Sequence, residues 1–399
     1  MRSRVALIGL AVASVAMLGL IAIPAGAAGA VHSRPVCPSA LAGSAWCQSR
    51  VVTDASGAPM ASTLPSGYGP AQFHGAYALP TTSSGNQTIA IVDAYDAPNI
   101  KKDLDTYNAT FGLPFFPSCS STVTTACFQK VNQNGAASPL PRSNAGWALE
   151  ISLDVEVAHA TCQNCKILLV EASSNSFSNL AAAVNTAAAM GANVISNSYG
   201  GSELNSTLSG AYDHPGVAIT VSAGDAGYGV ESPASLNTVV AVGGTTLSLG
   251  ADDSYGGETA WSGTGSGCSA YFTAQSWQSG LANWSDTGCG SNRGVADVAA
   301  DADPATGAAV YDSTRYQGRR GWFQVGGTSL SAPLIAGVFA LAGNAGSVSY
   351  PASLPYANAA SLHDVTQGSN GSCGTIMCQG AAGYDGPTGL GTPNGLGGF

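Results

Sequence analysis

Short, continuous apolar runs recur through the middle of this 399-residue chain, with helix-like stretches between them. Runs that are apolar throughout, rather than alternating with polar residues, are typical of strands buried on both faces of a parallel sheet. Strands that alternate with helices predict a doubly wound α/β fold, whose ligands bind beyond the carboxyl ends of the strands. The apolar runs are Thr88–Asp93, Ile167–Glu171, Val194–Ser198, Val217–Ser222 and Val239–Val242, and the helix-like stretches are Pro98–Tyr107, Trp147–Ala160, Phe177–Met190 and Ala332–Ala342.

The first 27 residues have the order of a secretory signal peptide. Arg2 and Arg4 form a basic start, residues 5–23 are almost wholly apolar, and a small-residue cleavage site ends at Ala27. We therefore expect a secreted, extracellular protein. Residues 28–66 are predicted to form a short N-terminal segment or minimal pro-segment, and residues 67–399 a single domain.

The charge balance excludes two classes of partner. The net charge is −10, and the predicted signal contains two arginines and no acidic residue, so the exported chain is more acidic still. An acidic surface argues against nucleic acid and anionic lipid as ligands. No later segment reaches the roughly 18 apolar residues that a membrane span needs. We expect that neither nucleic acid nor a membrane is a partner. We also expect the protein to be a monomer.

The ten cysteines are expected to form disulfides, because the chain is predicted to be exported. Neighbour pairing would give local links, although other connectivities remain open. The Cys162–Cys165 spacing also fits a redox motif or half of a metal site. The five histidines are scattered along the sequence and indicate no zinc cluster. The neighbouring couples are Cys37/Cys47, Cys119/Cys127, Cys162/Cys165, Cys268/Cys289 and Cys373/Cys378.

Ser329 is a candidate nucleophile. It follows Gly326-Gly327-Thr328 at the start of an apolar helix, whose positive end would favour negative charge developing near the serine. The alternative interpretation is a helix cap, since Gly-Thr-Ser before an apolar helix is also a good N-terminus.

Two acidic residues stand four apart on a predicted helix. Glu150 and Asp154 therefore share one face, where like charges repel. In a partly buried site such a pair would share protons, taking one from a serine and returning it to a leaving amine. The alternative is a solvated acidic face, which Glu156 would extend.

Asp225 follows a predicted buried strand within the sequence SAGDAG at 222–227. It should project from the carboxyl end of that strand. A carboxyl group kept protonated there can donate a hydrogen bond to an oxyanion. The alternative is an ordinary turn residue in a glycine-rich loop.

Taken together and in order, these motifs resemble the sedolisins, the serine-carboxyl peptidases that include kumamolisins and tripeptidyl-peptidases. GTSLSAP at 327–333 is similar to the nucleophile motif that sedolisins share with subtilisins, but the early helix carries EISLD at 150–154 and no histidine motif. ADVAADADPATG at 296–307, and Trp261 followed by GSG at 265–267, resemble further family stretches. The resemblance covers the chain from about residue 66 to its end.

The resemblance implies a subtilisin-like fold and a role for each candidate. Ser329 would be the nucleophile, Glu150 the general base, Asp154 the residue that orients Glu150 and shares its protons, and Asp225 the oxyanion-hole acid. Peptide bonds would be cleaved through an acyl-enzyme. From unperturbed carboxyl pKa values near 4, activity is expected at about pH 3–5.

The resemblance also implies one structural calcium ion near the C-terminus. Its ligands would be the side chains of Asp364 and Asp385 and the backbone carbonyls of Val365, Ala381 and Gly383. Oxygen ligands that include two carboxylates suit Ca²⁺. The alternative is a plain turn rich in Gly and Asp.

One departure from the family pattern leaves three other functions open. Sedolisins usually carry a large N-terminal prodomain, whereas about 40–50 residues here separate the predicted signal peptide from the similarity. The leading prediction is an acid-active endopeptidase. The alternatives are a catalytically silent peptide-binding protein, a tripeptide-releasing exopeptidase and a histidine-dependent subtilisin that uses His159.

Overall fold

The strands and helices were assigned from a computed structural model that describes residues 31–399; the predicted signal peptide lies outside the described residues. The strands of this range are β1 (His32–Pro35), β2 (Trp46–Cys47), β3 (Arg50–Thr53), β4 (Ala61–Ser62), β5 (Thr88–Ala94), β6 (Phe128–Asn132), β7 (Lys166–Ala172), β8 (Val194–Asn197), β9 (Tyr199–Ser202), β10 (Ala218–Ser222), β11 (Glu231–Ser232), β12 (Val240–Leu249), β13 (Tyr255–Ala260), β14 (Gly267–Thr273), β15 (Asn292–Val295), β16 (Val298–Asp301), β17 (Ala308–Tyr316), β18 (Arg319–Gly326), β19 (Leu362–His363) and β20 (Thr392–Pro393). The α-helices are α1 (Pro70–Ala76), α2 (Ile100–Phe111), α3 (Ala145–Thr161), α4 (Phe177–Ala189), α5 (Ser276–Ser279), α6 (Thr328–Ala342) and α7 (Ser353–Ala357).

The predicted apolar runs form the centre of an eight-stranded sheet. Its order is β13-β12-β10-β8-β5-β7-β6, and β16 pairs with β12. The contacts within this sheet are parallel except that between β12 and β13. The side chains from Ile89 to Val92 are fully buried, as expected for a strand covered on both faces. The prediction of a doubly wound, mainly parallel α/β sheet is confirmed.

Two long helices, α3 and α6, pack against each other and bring the candidate residues together. The α3 helix begins after Asn144, whose side chain accepts hydrogen bonds from the backbone N–H groups of Gly146 and Trp147. The α6 helix is apolar on every face and is buried along almost its whole length, as such helices are in protein cores. It begins at Thr328, four residues before the predicted start.

The N-terminal residues pair with later strands of the domain. β1 pairs with β3, and β3 pairs with β18, so that β1 and β3 extend the sheet that contains β17. β2 pairs with β9. The predicted boundary at residue 66 stays a prediction.

The stretch from 250 to 320, which is rich in Gly, Ser and Asp, contains β13 to β17 and the start of β18. Several of these strands carry Gly, Ser and Thr in place of long apolar runs. Their pairing depends on tertiary packing more than on local preference.

All ten cysteines are paired, and the neighbour pairing is confirmed. Cys162 and Cys165 are bonded to each other and buried, which argues against a metal ligand role for this pair. In the part of the chain from 31 to 399, no helix has both the length and the apolar character of a membrane span. The five disulfides are Cys37–Cys47, Cys119–Cys127, Cys162–Cys165, Cys268–Cys289 and Cys373–Cys378.

Candidate active site

Ser329 is the second residue of α6 and is fully buried. Its hydroxyl donates to the carbonyl oxygen of Ser198 at 3.3 Å. Its backbone N–H, one of those that a helix leaves unpaired at its N-terminus, donates to the carbonyl oxygen of Gln48 at 2.8 Å. The N-cap is Gly327 and makes no side-chain capping bond, so the interpretation of Ser329 as a cap is wrong.

Gly327 allows the backbone of Gln48 and the carboxyl group of Asp225 to lie close to the start of α6, next to Ser329. Its φ is 100°, in the region that residues with a Cβ rarely adopt. A Cβ at this position would collide with the Gln48 carbonyl oxygen and with Oδ2 of Asp225. These two oxygens therefore lie close together over the glycine.

Glu150 and Asp154 lie on α3 and are fully buried. The solvated acidic face is therefore wrong, and Glu156 is buried as well. Burial raises the pKa of Glu150, and hydrogen bonds from Ser329 and Ser49 act against this rise. Burial, and then the charge of Glu150, raises the pKa of Asp154 well above its ordinary value. When the pair shares one proton, Asp154 therefore holds it, and Glu150 is the carboxyl that can be ionised and accept a proton.

Asp225 lies three residues beyond the end of β10 and bonds across the site rather than within its own turn. Its Oδ1 accepts from the backbone N–H of Thr328 at 2.7 Å and from the Thr328 hydroxyl at 3.0 Å. Its Oδ2 is buried without a hydrogen-bond partner. Burial raises the pKa of Asp225 to about 7, so in acid this carboxyl is protonated and can donate.

Other groups at the site were not singled out from the sequence. Asp93, near the end of β5, has its pKa raised well above the ordinary value by burial, then by Asp154 and Glu150. Its position at the end of a buried strand was the signal that could have identified it. Ser198 follows the same pattern, since it ends the predicted run Val194–Ser198, whereas Ser49 and Glu231 follow no such pattern and only the tertiary fold brings them here.

The N-terminal segment runs through this site. Trp46 and Cys47 pair antiparallel with Gly200 and Tyr199 of β9. The next residue, Gln48, places its carbonyl oxygen on the Ser329 N–H, and Ser49 donates its hydroxyl to Oε2 of Glu150. Beyond the site the chain continues as β3, which pairs with β18.

His159 lies on α3 but belongs to the core. Its ring is fully buried and lies against Phe116, with the two ring centroids 3.9 Å apart. Burial lowers the pKa of His159 to about 3, so it stays neutral. Neither ring nitrogen has a hydrogen-bond partner. These observations argue against a histidine-dependent mechanism.

Four of the five residues predicted as calcium ligands, Asp364, Ala381, Gly383 and Asp385, lie close together. Asp364 Oδ2 accepts from the Gly383 N–H and Asp385 Oδ2 from the Ala381 N–H, both at 2.9 Å. Asp385 is buried and forms no ion pair with any Lys or Arg of the described residues. A divalent cation would supply the missing positive charge. Residues 31–399 hold no group of three or more His, Cys, Asp or Glu placed for a metal, so carbonyls such as that of Val365 would complete the ligand set.

Comparison with known proteins places this geometry among peptidases. The model of the subtilase family matches residues 120–352. Sedolisin from Pseudomonas sp. (strain 101) is 28% identical over 82% of this chain and 60% of its own length. Kumamolisin from Bacillus sp. (strain MN-32) is 30% identical over 84% of this chain and 63% of its own length. The chain thus spans about three fifths of the length of these curated relatives.

Solved structures agree on the fold. A structure of Pseudomonas sedolisin, described as a serine-carboxyl proteinase complexed with pseudo-iodotyrostatin, superposes with a TM-score of 0.68 at 26% identity. It covers 83% of this chain, which in turn covers 96% of that structure. Sphericase, at 18% identity and a TM-score of 0.51, shares the fold. The resemblance to sedolisin and the subtilisin-like fold are confirmed.

Proposed function

The chain belongs to the subtilase family, and we propose that it is a serine-carboxyl endopeptidase active in acid. The observation that carries this proposal is the position of Ser329, Glu150 and Asp225 around one short segment, residues 48–49. The Ser329 N–H donates to the carbonyl oxygen of residue 48, Glu150 accepts the hydroxyl of residue 49, and Asp225 lies next to Gly327 on the same side as that carbonyl oxygen. The similarity of the chain to sedolisin and kumamolisin supports the same chemistry.

In the proposed reaction, Ser329 Oγ attacks the carbonyl carbon of the substrate while Glu150 accepts the hydroxyl proton. Asp154, buried four residues further along α3, shares protons with Glu150 and limits the negative charge of the pair. The Ser329 N–H and a protonated Asp225 donate to the oxyanion. Glu150 then delivers the proton to the leaving amine, and water hydrolyses the acyl-enzyme.

The pH dependence follows from Asp225. Its carboxyl donates only while protonated, and burial raises its pKa to about 7. The upper limit of activity is therefore expected nearer to pH 7 than an unperturbed carboxyl would give.

Cleavage of an unfolded protein tests the proposal. The secreted protein is incubated with the substrate from about pH 2.5 to about pH 8, and the products are identified by mass. We expect internal cleavage in acid that declines as the pH rises through about 7. A rate that peaks above neutral pH would contradict the role of Asp225.

The path of the N-terminal segment favours an endopeptidase over a tripeptide-releasing enzyme. Residues 45–48 lie along the cleft and end at the Gln48 carbonyl, which accepts from the Ser329 N–H. The chain continues upstream of Ala45. An enzyme that releases tripeptides requires a barrier after the third residue. The catalytically silent alternative is disfavoured because the chain contains all four residues that a sedolisin-type mechanism needs.

We propose one structural Ca²⁺ at the Asp364–Asp385 loop. Removing calcium with a chelator should lower the melting temperature by a few degrees, because a ligand at ~100 times its Kd stabilises by ~2.7 kcal/mol. Asp364 is exposed, so Asp364→Asn should abolish the calcium response while leaving the protein folded. Asp213→Asn, which changes an exposed aspartate elsewhere, should keep the response. Equal responses in both variants would place the ion elsewhere.

We also propose that the protein is exported. Five disulfides within residues 31–399 support this, since disulfides persist in oxidising compartments.

A further inference from the structure

Basic residues gather at the β17–β18 hairpin, although the chain as a whole is strongly acidic. Arg315 lies near the end of β17, and Arg319 and Arg320 begin β18. Arg34 of β1 reaches the turn between these strands, where its Nη1 donates to Oε1 of Gln317 at 3.1 Å. All four arginines are exposed, and within residues 31–399 none of them forms an ion pair. The charge of this surface is therefore opposite to that of the whole chain.

A pocket of about 360 Å³ lies beside the hairpin, where α2 packs against β17. Lys102, in the first turn of α2, and Arg320 each bring one positive charge to it. Lys102 is exposed and, like Arg320, has no ion-pair partner in the part of the chain that the structure describes. The other polar lining residues carry hydroxyl groups: Ser62, Thr63, Tyr311 and Ser313. The pocket thus combines two uncompensated cations with several hydrogen-bond donors.

The carboxyl groups next to this pocket do not cancel its charge in acid. Asp103 and Glu156 accept hydrogen bonds from backbone N–H groups of β17, and Asp312 is part of that strand. All three are buried, and burial raises the pKa of each, that of Asp312 to about 7. They are therefore protonated and neutral in acid. One exposed carboxyl group, that of Asp54, interacts with Arg319, but it does not line the pocket.

We propose that this pocket binds a phosphate or sulfate group, either as a free ion or as part of a polymer. The planar guanidinium of Arg320 can donate two hydrogen bonds to such a group, and the Lys102 ammonium adds a point charge. Arg315 and Arg319 extend the positive surface beyond the pocket, so a polymer with several anionic groups would contact more than one cation. None of the lining residues belongs to the candidate active site, so the site stands or falls independently of the peptidase reaction.

Sulfate is the probe, because it keeps both of its negative charges in acid. Isothermal titration calorimetry at about pH 4 compares wild type with Lys102→Gln, Arg320→Gln and Arg142→Gln, after their melting temperatures have shown that all are folded. Arg142 is a matched control, since it is exposed, lies outside the pocket and has its guanidinium over the Tyr95 ring. We expect each pocket variant to raise the Kd for sulfate by about tenfold or more, the usual effect of losing a hydrogen bond between charged groups. The Arg142→Gln variant should keep the wild-type Kd.

Dextran sulfate, with uncharged dextran as its control, distinguishes the two sources of the anionic group. A lower Kd per sulfate for the polymer than for the free ion would identify a polymeric ligand, and Arg319→Gln should then reduce that gain. Equal Kd values would identify a small ion and would also support the site. If wild type binds sulfate in neither form, the inference is wrong. It is also wrong if Arg142→Gln weakens binding as much as Arg320→Gln, because the effect would then be one of net charge.

Discussion

A Glu150→Gln variant is expected to hydrolyse peptides about 10²- to 10⁴-fold more slowly than wild type, the usual contribution of a general base. The glutamine keeps the size of the side chain and an oxygen that can accept the Ser49 hydroxyl, but it cannot take a proton from Ser329. The loss should therefore appear in kcat, with the melting temperature changed much less.

Two control variants on the same helix make this result specific. Glu156→Gln makes the identical change at another buried acid, which accepts from the Tyr311 N–H away from the site, and should keep activity within a few-fold of wild type. His159→Leu removes the buried imidazole and should also remain active. If a folded His159→Leu variant is inactive, or if Glu156→Gln loses as much activity as Glu150→Gln, the carboxyl mechanism is wrong.

The protein is expected to be considerably more stable in acid than at neutral pH. Burial raises the pKa of Glu171 and Glu231 to about 8 and that of Asp225 and Asp312 to about 7. In the unfolded chain such carboxyls titrate near ~4. Between these values the folded state binds more protons, so stability is fully present below about pH 4 and is lost as the pH rises through 7 to 8.

The size of this effect is large because the groups act in the same direction. Each contributes up to ~1.4 kcal/mol per pH unit between its two pKa values. His159 and His363 act in the opposite direction, because burial lowers the pKa of both, that of His159 to about 3, and unfolding lets each take up a proton below pH ~6.5. The melting temperature at constant calcium should fall by several degrees between about pH 4 and about pH 8.

An Asp312→Asn variant isolates one of these groups. Asp312 lies on β17, and its Oδ1 accepts from the Thr314 N–H, a bond that the amide oxygen of asparagine can keep. The variant should match wild type near pH 4 and become the more stable protein above pH 7. A wild-type melting temperature that is constant or rises between pH 4 and pH 8 would contradict this account.

The sheet and the reacting side chains could be predicted because their signals are local. Each buried strand is a short apolar run, and β5, β7, β8, β10 and β12 begin within a residue or two of the predicted positions. Ser329, Glu150 and Asp225 lie at a helix start, on a helix face and after a strand end, positions that made them candidates, and the resemblance to the sedolisins then implied their roles.

The N-terminal part of the site could not be predicted in this way. The strands β1 to β4 are two to four residues long, too short for periodicity to show. Gln48 and Ser49 carry no motif, and their role arises from contacts with Ser329 and Glu150 more than 100 residues away in sequence. Burial also raises the upper pH at which activity is expected, because the pKa of Asp225 depends on the packed site rather than on its residue type.

The central claim is that Ser329 is the nucleophile and that carboxyl groups are its acid–base partners. Its most direct test is the rate of peptide hydrolysis by wild type, Ser329→Ala and Ser331→Ala, measured from about pH 2.5 to about pH 8. We expect the Ser329→Ala rate to fall by a factor on the order of 10⁶, as when the catalytic serine of a related peptidase is removed. Ser331→Ala should follow the wild-type profile in acid. A folded Ser329→Ala variant that cleaves the peptide at the wild-type rate would contradict the assignment of the active site.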